Sequence, residues 1–346
     1  MTSNHQSALA KDAPPEQVTE AIEDVHRHYL EMRKQLAQVI VGMDDVAEEL
    51  MIAILCRGHC ILQGMPGLAK TLLISRIASL MHLTFHRIQF TPDLMPADIT
   101  GSEVLEEDRT TGRREFRFIK GPVFANIVLA DEVNRTPPKS QSALLEAMEE
   151  RQLSLGGKTY RLPDPFFVLA TQNPVEVEGT YPLPEAQLDR FLFKIKVSYP
   201  SRDAEREICR RNVTDYSATT KTVIDEATLK QMQGMVTKVI VSDHVYNAAL
   251  DLVRSTRPEE GMLPKDLREM VQWGAGPRAS IALLMAAKAR ALLQKRVHAT
   301  TEDVWASALP VLRHRIIPTF KAEAAGVDND KIVTTLIQQC RKTGVK

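Results

Sequence analysis

Residues 64–71 read Gly64-Met65-Pro66-Gly67-Leu68-Ala69-Lys70-Thr71, with Leu72 next. A turn of this kind can wrap a polyphosphate. Backbone N–H groups at the turn and at the following helix start face phosphate oxygens. Lys70 would place a positive charge near the β- and γ-phosphates, and the Thr71 hydroxyl would reach a Mg²⁺ ion. The general pattern is G-x-x-x-x-G-K-[ST], and Ala69 stands where it asks for its second glycine. Alanine costs nothing there if the backbone is already right-handed helix, so Ala69 is expected in that region. The bland alternative is a strand–turn–helix corner with an incidental lysine and threonine.

Four further pieces could serve such a site. Asp131 and Glu132 end the apolar run of "NIVLADEVNR" (126–135), where Asp131 would hold Mg²⁺ and Glu132 would polarise a water. Taken alone, acidic residues at a strand end are ordinary solvated caps. Asn173 ends a second apolar run in "VLATQNP" (168–174). It could position that water, or simply mark an Asn-Pro turn. Arg190 in "PEAQLDRFLF" (184–193) could neutralise charge on a transferring phosphoryl group, or form a structural ion pair. Arg278 follows Gly274, Gly276 and Pro277 at the start of a helical stretch. The dipole there disfavours a cation, so Arg278 implies either an anionic partner or free solvation.

The elements that must position these groups alternate. Short apolar runs read as strands: "HCILQ" (59–63), "TFHRIQF" (84–90), "NIVLADE" (126–132), "FFVLATQN" (166–173) and "FLFKIKV" (191–197). Amphipathic helical stretches such as "LAKTLLISRIASLM" separate them, which argues for a mostly parallel sheet with helices on both faces. Ligands then bind beyond the carboxyl ends of the strands, where the motifs sit. Two segments interrupt the rhythm, at 102–118 with a Thr-Gly turn and at 152–162 with Gly-Gly, and both read as hairpins. Residues 1–15 are polar with paired prolines and are expected to be disordered. The expected division is a nucleotide-binding α/β domain over 16–221 and a helical domain over 222–346.

Composition removes several classes. Lys+Arg and Asp+Glu both number 44, so there is no overall basic footprint for nucleic acid. No apolar run approaches the length of a membrane-spanning helix, and the N-terminal stretch lacks the apolar core of a signal peptide. Four cysteines in 346 residues make no disulfide framework, so a reducing cytoplasmic setting is expected. Cys56, His59 and Cys60 lack a second ligand pair at zinc spacing, and Cys60 reads as core. His314, between two arginines in "LPVLRHRI" (309–316), reads as structural within a packed helix.

In order, the phosphate loop, "LADE", "TQNP", "LDRF" and "GPRAS" resemble an AAA+ ATPase of the MoxR group, over about residues 36–320. The hairpins resemble the helix-2 and pre-sensor-1 inserts of that clade. The resemblance implies an α/β P-loop AAA+ core with a five-stranded parallel sheet and a C-terminal all-helical lid. It makes "GxPGxAKT" a family form of the loop, so Ala69 is no defect. It implies ATP and Mg²⁺, with Lys70 and Thr71 as Walker A, Asp131 and Glu132 as Walker B, and Asn173 as sensor 1. Arg190 matches the arginine finger, acting on ATP held by a neighbouring copy, and Arg278 matches sensor 2, in cis or in trans. Ile40, Val41 and Gly42 of "VIVGMDDV" resemble the adenine-side motif, with Met43 where glutamine is common.

The implied activity is Mg²⁺-dependent ATP hydrolysis by a ring, expected to be a hexamer. It would act as a chaperone-like motor in protein maturation or cofactor insertion, on a client the sequence does not name. The resemblance also implies a partner bearing a von Willebrand factor A domain, whose D-x-S-x-S motif this chain lacks. Three alternatives stay open: a nucleotide switch or scaffold with little hydrolysis, a nucleic-acid motor, and a metal-chelatase motor subunit. The second would use Arg109, Arg113, Arg114, Arg117 and Lys120, but Glu106, Glu107, Asp108 and Glu115 are interleaved and fit a solvated hairpin better.

Overall fold

The computed structural model describes residues 15–107, 114–175, 179–214, 219–260 and 263–343. The expected disorder of residues 1–14, the Thr-Gly turn of the first hairpin, and Asp108, Arg109 and Arg113 lie outside the described residues.

Five strands form one sheet: β1 (Cys60–Gln63), β2 (Phe85–Gln89), β3 (Ile127–Asp131), β4 (Phe167–Gln172) and β5 (Phe193–Lys196). Their order is β2-β3-β4-β1-β5, and every pairing is parallel. All five runs singled out in the sequence are therefore strands, trimmed by one or two residues at their ends. Parallel strands need both faces covered, which is why β3 carries four fully buried residues in a row, Ile127–Ala130. Alternate side chains go to opposite faces. Ile127, Leu129, Phe167 and Leu169 join one core with Leu73, Ile74 and Ile77 of the helix Lys70–Leu80. Val128, Ala130, Val168 and Ala170 join the other with Leu144, Leu145 and Met148 of the helix Pro138–Glu150.

Both interrupting segments are antiparallel hairpins. Gly101–Glu107 pairs with Arg114–Lys120, and Gln152–Leu155 with Lys158–Arg161. Gly156 and Gly157 both have positive φ in the second turn, as a tight two-residue hairpin requires. The hairpins lean on one another through Phe118 and Tyr160, whose ring centroids are 4.3 Å apart. In the first hairpin Arg114 pairs with Glu107 at 3.0 Å and Arg117 with Glu106 at 3.2 Å, so these arginines are spent on their own ladder.

The C-terminal part is helical: Glu226–Lys238, Asp243–Arg254, Pro277–Leu293, Thr301–Leu312 and Asn329–Thr343, with a short ribbon of Val271–Trp273 against Ile317–Pro318. Its apolar residues continue the core that covers one sheet face. His314 is buried here, with Nε2 3.0 Å from the Phe191 carbonyl. No helix among the described residues is long and apolar enough to cross a membrane.

Candidate functional site

The phosphate-loop candidate leaves the C-terminal end of β1 and enters the helix Lys70–Leu80. A cavity of about 440 Å³ there is lined by Gly64, Pro66–Leu72, Asp131, Glu132 and Asn173. A second cavity of about 600 Å³ shares Gly67, Leu68, Ala69 and Leu72 with it and extends to Ile40, Val41, Gly42 and Met43. Together they form a cleft on the scale of small-molecule sites, with Lys70, Asp131 and Glu132 at one end and Ile40, Val41 and Met43 at the other. Met65 lines neither cavity and contributes its carbonyl to the loop instead.

Ala69 is not in the right-handed region. Its φ and ψ are 53° and 22°, a left-handed conformation at the helix N-cap. The expected reason for tolerating alanine is thus wrong. The pattern's glycine serves a backbone that an L-side chain enters at a cost of about 1–2 kcal/mol. The loop holds that cost at the point where its carbonyl accepts the first helical bond, from the Leu73 N–H at 3.0 Å. Lys70 Nζ donates to the carbonyls of Gly64 and Met65, both at 2.7 Å. Burial draws its pKa below the ordinary value, while Asp131 and Glu132 oppose that shift.

Asp131 and Glu132 stand where β3 ends. Asp131 Oδ2 accepts from Arg87 at 2.6 and 2.9 Å, and Oδ1 accepts from the Thr171 hydroxyl at 2.5 Å. Glu132, also left-handed with φ 59°, accepts from Gln89 Nε2 at 2.9 Å and pairs with Arg135 at 3.2 Å. The Thr171 hydroxyl also accepts from the Glu132 N–H at 2.8 Å. Arg87, Gln89 and Thr171 thus orient the two carboxylates from neighbouring strands, and the sequence reading missed all three. Cross-strand register carries that information, and only the "T" of "TQNP" hinted at it. The Thr71 hydroxyl and the Asp131 carboxylate are the hard oxygen donors that Mg²⁺ takes, so the donor set fits that ion. Asn173 is nearly buried and lines the cavity, while its Oδ1 accepts from the Val175 N–H at 3.3 Å. The turn reading therefore holds, and the side chain stands in the cavity where a water-positioning role would need it.

Gly42 has φ +73°, and a Cβ there would lie 2.8 Å from the Ala204 Cβ, so packing and backbone both demand glycine. Arg211 fixes the same segment by donating to the carbonyls of Ala37 and Gln38.

Arg190 and Arg278 come together elsewhere. They line a cleft with Cys56, His59, Glu149 and Asp189 that has no lining residue in common with the phosphate cavity. Glu149 pairs with Arg190 at 2.7 Å and with Arg278 at 3.5 Å. Asp189 lies 3.8 Å from Arg278 and 2.8 Å from Arg315, whose side chain is buried. Pro277 and Arg278 open the helix Pro277–Leu293, as the Gly-Pro signal predicts. His59, on the floor of this cleft, is buried. Its Nδ1 accepts from the Val168 N–H at 2.9 Å, and its Nε2 lies 3.3 Å from the Met148 carbonyl. That arrangement needs the neutral ring, and burial lowers the pKa to about 4.

Residues 59–193 match the ATPase family associated with various cellular activities, and residues 265–336 match the AAA lid domain. The chain is 41% identical over 338 residues to Chaperone MoxR1 of Mycobacterium tuberculosis, covering 96% of this chain and 87% of that protein. It is 30% identical to Protein MoxR of Paracoccus denitrificans, covering 85% and 90% of the two chains. Among solved structures, an ATPase candidate from Cytophaga hutchinsonii superposes with a TM-score of 0.85 at 40% identity, over 93% of this chain and 97% of that one.

Proposed function

Since this chain belongs to the MoxR family of AAA+ ATPases, we propose that it hydrolyses ATP with Mg²⁺ as a ring, a hexamer, whose sites are completed between neighbouring copies. Lys70 and the loop N–H groups bind the phosphates, and the end by Ile40, Val41 and Gly42 takes the base. Thr71 and Asp131 would hold Mg²⁺, which when bound would supply charge neutralisation to the polyphosphate. Glu132 accepts a hydrogen bond from the water attacking in line, and Asn173 fixes its position. Arg190 and Arg278 act in trans. The observation carrying this reading is their placement together in a cleft apart from the phosphate cavity of their own chain. Glu149 and Asp189 hold them until a neighbour's phosphates replace those carboxylates.

The division into an α/β domain over 16–221 and a lid over 222–346 lets nucleotide state move one against the other. The paired hairpins pass that movement to a client. The work is chaperone-like remodelling in protein maturation or cofactor insertion, in the cytoplasm, with a von Willebrand factor A domain protein as partner.

The test is ATP turnover per subunit, with Mg²⁺, against protein concentration. A site completed between copies gives a rate per subunit that climbs steeply. A constant rate down to concentrations at which sedimentation shows only monomer contradicts the reading.

A further inference from the structure

The end of the cleft by Ile40, Val41 and Met43 carries two cations, Arg76 and Arg211, and no carboxylate among its described lining residues. Arg211 is occupied: it pairs with Glu207 at 2.8 Å and donates to the carbonyls of Ala37 and Gln38. Arg76 is different. Its Nε is sealed from solvent without a hydrogen-bond partner, and no ion pair or ring contact engages its guanidinium among the described residues. The guanidinium thus has no partner among the described residues, although the side chain lines the cavity.

The helix places this group. Leu72 and Arg76 are four residues apart in Lys70–Leu80, hence on one face, and both line the cavity shared with Ile40, Val41 and Gly42. Arg76 sits five residues beyond Thr71, about 7.5 Å further along the helix axis at 1.5 Å per residue. It does not line the phosphate cavity. Its place in the lining of the cavity by Ile40, Val41 and Gly42 alone suits the far end of the same ligand.

We propose that Arg76 donates to the sugar–base end of the bound nucleotide, so that it sets affinity for the nucleoside part. This rests on the nucleotide-site reading above and adds a specific contact to it. The planar fork can give two parallel N–H donors to the adjacent ribose hydroxyls, a geometry that lysine cannot copy, or one donor to a ring nitrogen of adenine.

The experiment is calorimetric titration of the full chain and of Arg76→Ala, in Mg²⁺, with two ligands: ATP, and inorganic tripolyphosphate, which lacks sugar and base. The expected result is about a tenfold weaker ATP dissociation constant in the variant, with tripolyphosphate changed less than twofold. In steady state KM rises by more than kcat falls. Arg76→Lys recovers little. Equal weakening for both ligands would make Arg76 a phosphate or general electrostatic group and overturn the proposal. So would unchanged ATP binding in the variant. If Arg76→Ala fails to fold, Arg76→Gln is read in its place, since it keeps much of the side-chain length and loses the fork. A wild-type chain that binds neither ligand overturns the nucleotide reading itself. Wild-type binding with an indifferent variant overturns the Arg76 contact alone.

Discussion

The phosphate cleft and the arginine cleft are built in opposite ways. The first is local: Gly64–Leu72 is one continuous loop and helix start, and Asp131, Glu132 and Asn173 extend from the ends of strands two and one places away from β1. Its carboxylates are held by Arg87, Gln89 and Thr171, which set their direction. The second is assembled from the end of the helix Pro138–Glu150, the turn before β5, and the start of Pro277–Leu293. Its cations rest on carboxylates, and Arg278 remains 54% exposed. In the proposed account, a site that holds its own anion-binding groups ready and a surface that parks guanidiniums on replaceable carboxylates are two halves of one phosphoryl-transfer site that meet only across copies.

The comparison breaks first at the chemistry. Glu132→Gln should cut turnover by about 10³-fold while ATP binding persists, because only the group facing the water is lost. Normal turnover would remove Glu132 from that role. Arg190→Ala should cost about as much, in the range known for arginine fingers, with no change in ATP affinity of the isolated chain.

Next comes the support beneath the arginine cleft. The folded pKa of His59, about 4, lies below an ordinary value near 6.5. The unfolded chain therefore binds the proton more readily. The stability His59 contributes is complete above pH 6.5 and is lost as pH falls toward 4, about 3 kcal/mol in all. Urea unfolding at pH 7 and pH 4 should show a difference larger in the wild type than in His59→Asn by that amount. Equal differences would mean that His59 is not buried neutral.

Smaller effects sharpen the contrast. Ala69→Gly should stabilise the chain by about 1 kcal/mol, since glycine enters the left-handed region freely. A loss of stability in the same urea assay would contradict the loop geometry. Glu149→Gln should raise turnover at limiting protein concentration by no more than about fivefold. A partly exposed ion pair is worth about 1 kcal/mol or less, and its loss loosens both arginines while Arg278 keeps Asp189 and Arg190 keeps the Leu145 carbonyl. A fall in turnover would mean that Glu149 holds the arginines in working positions instead.

Much of this was legible in the residues. Period and apolar run length marked all five core strands, because a buried parallel strand has to be continuous and apolar. Motif order pointed to the family that the relatives establish. Three things were not legible. Strand order and register decide that Arg87 meets Asp131 and Gln89 meets Glu132, and these contacts span more than 40 residues. The left-handed backbone at Ala69 is invisible to propensity, which favours alanine in a helix and says nothing of the residue capping it. The pairing of Arg190 with Arg278 through Glu149 joins three distant segments, none of which signals the others.

The most direct test of the proposed shared site mixes two variants expected to be inactive, Lys70→Ala, which would lose its hold on the phosphates, and Arg190→Ala, which would lose its reach to a neighbour's. Within a mixed ring, some interfaces bring an intact phosphate loop against an intact arginine. The account predicts ATPase activity that is absent from either variant alone and greatest near equal proportions. No activity at any ratio, in rings shown by sedimentation to contain both variants, would contradict it.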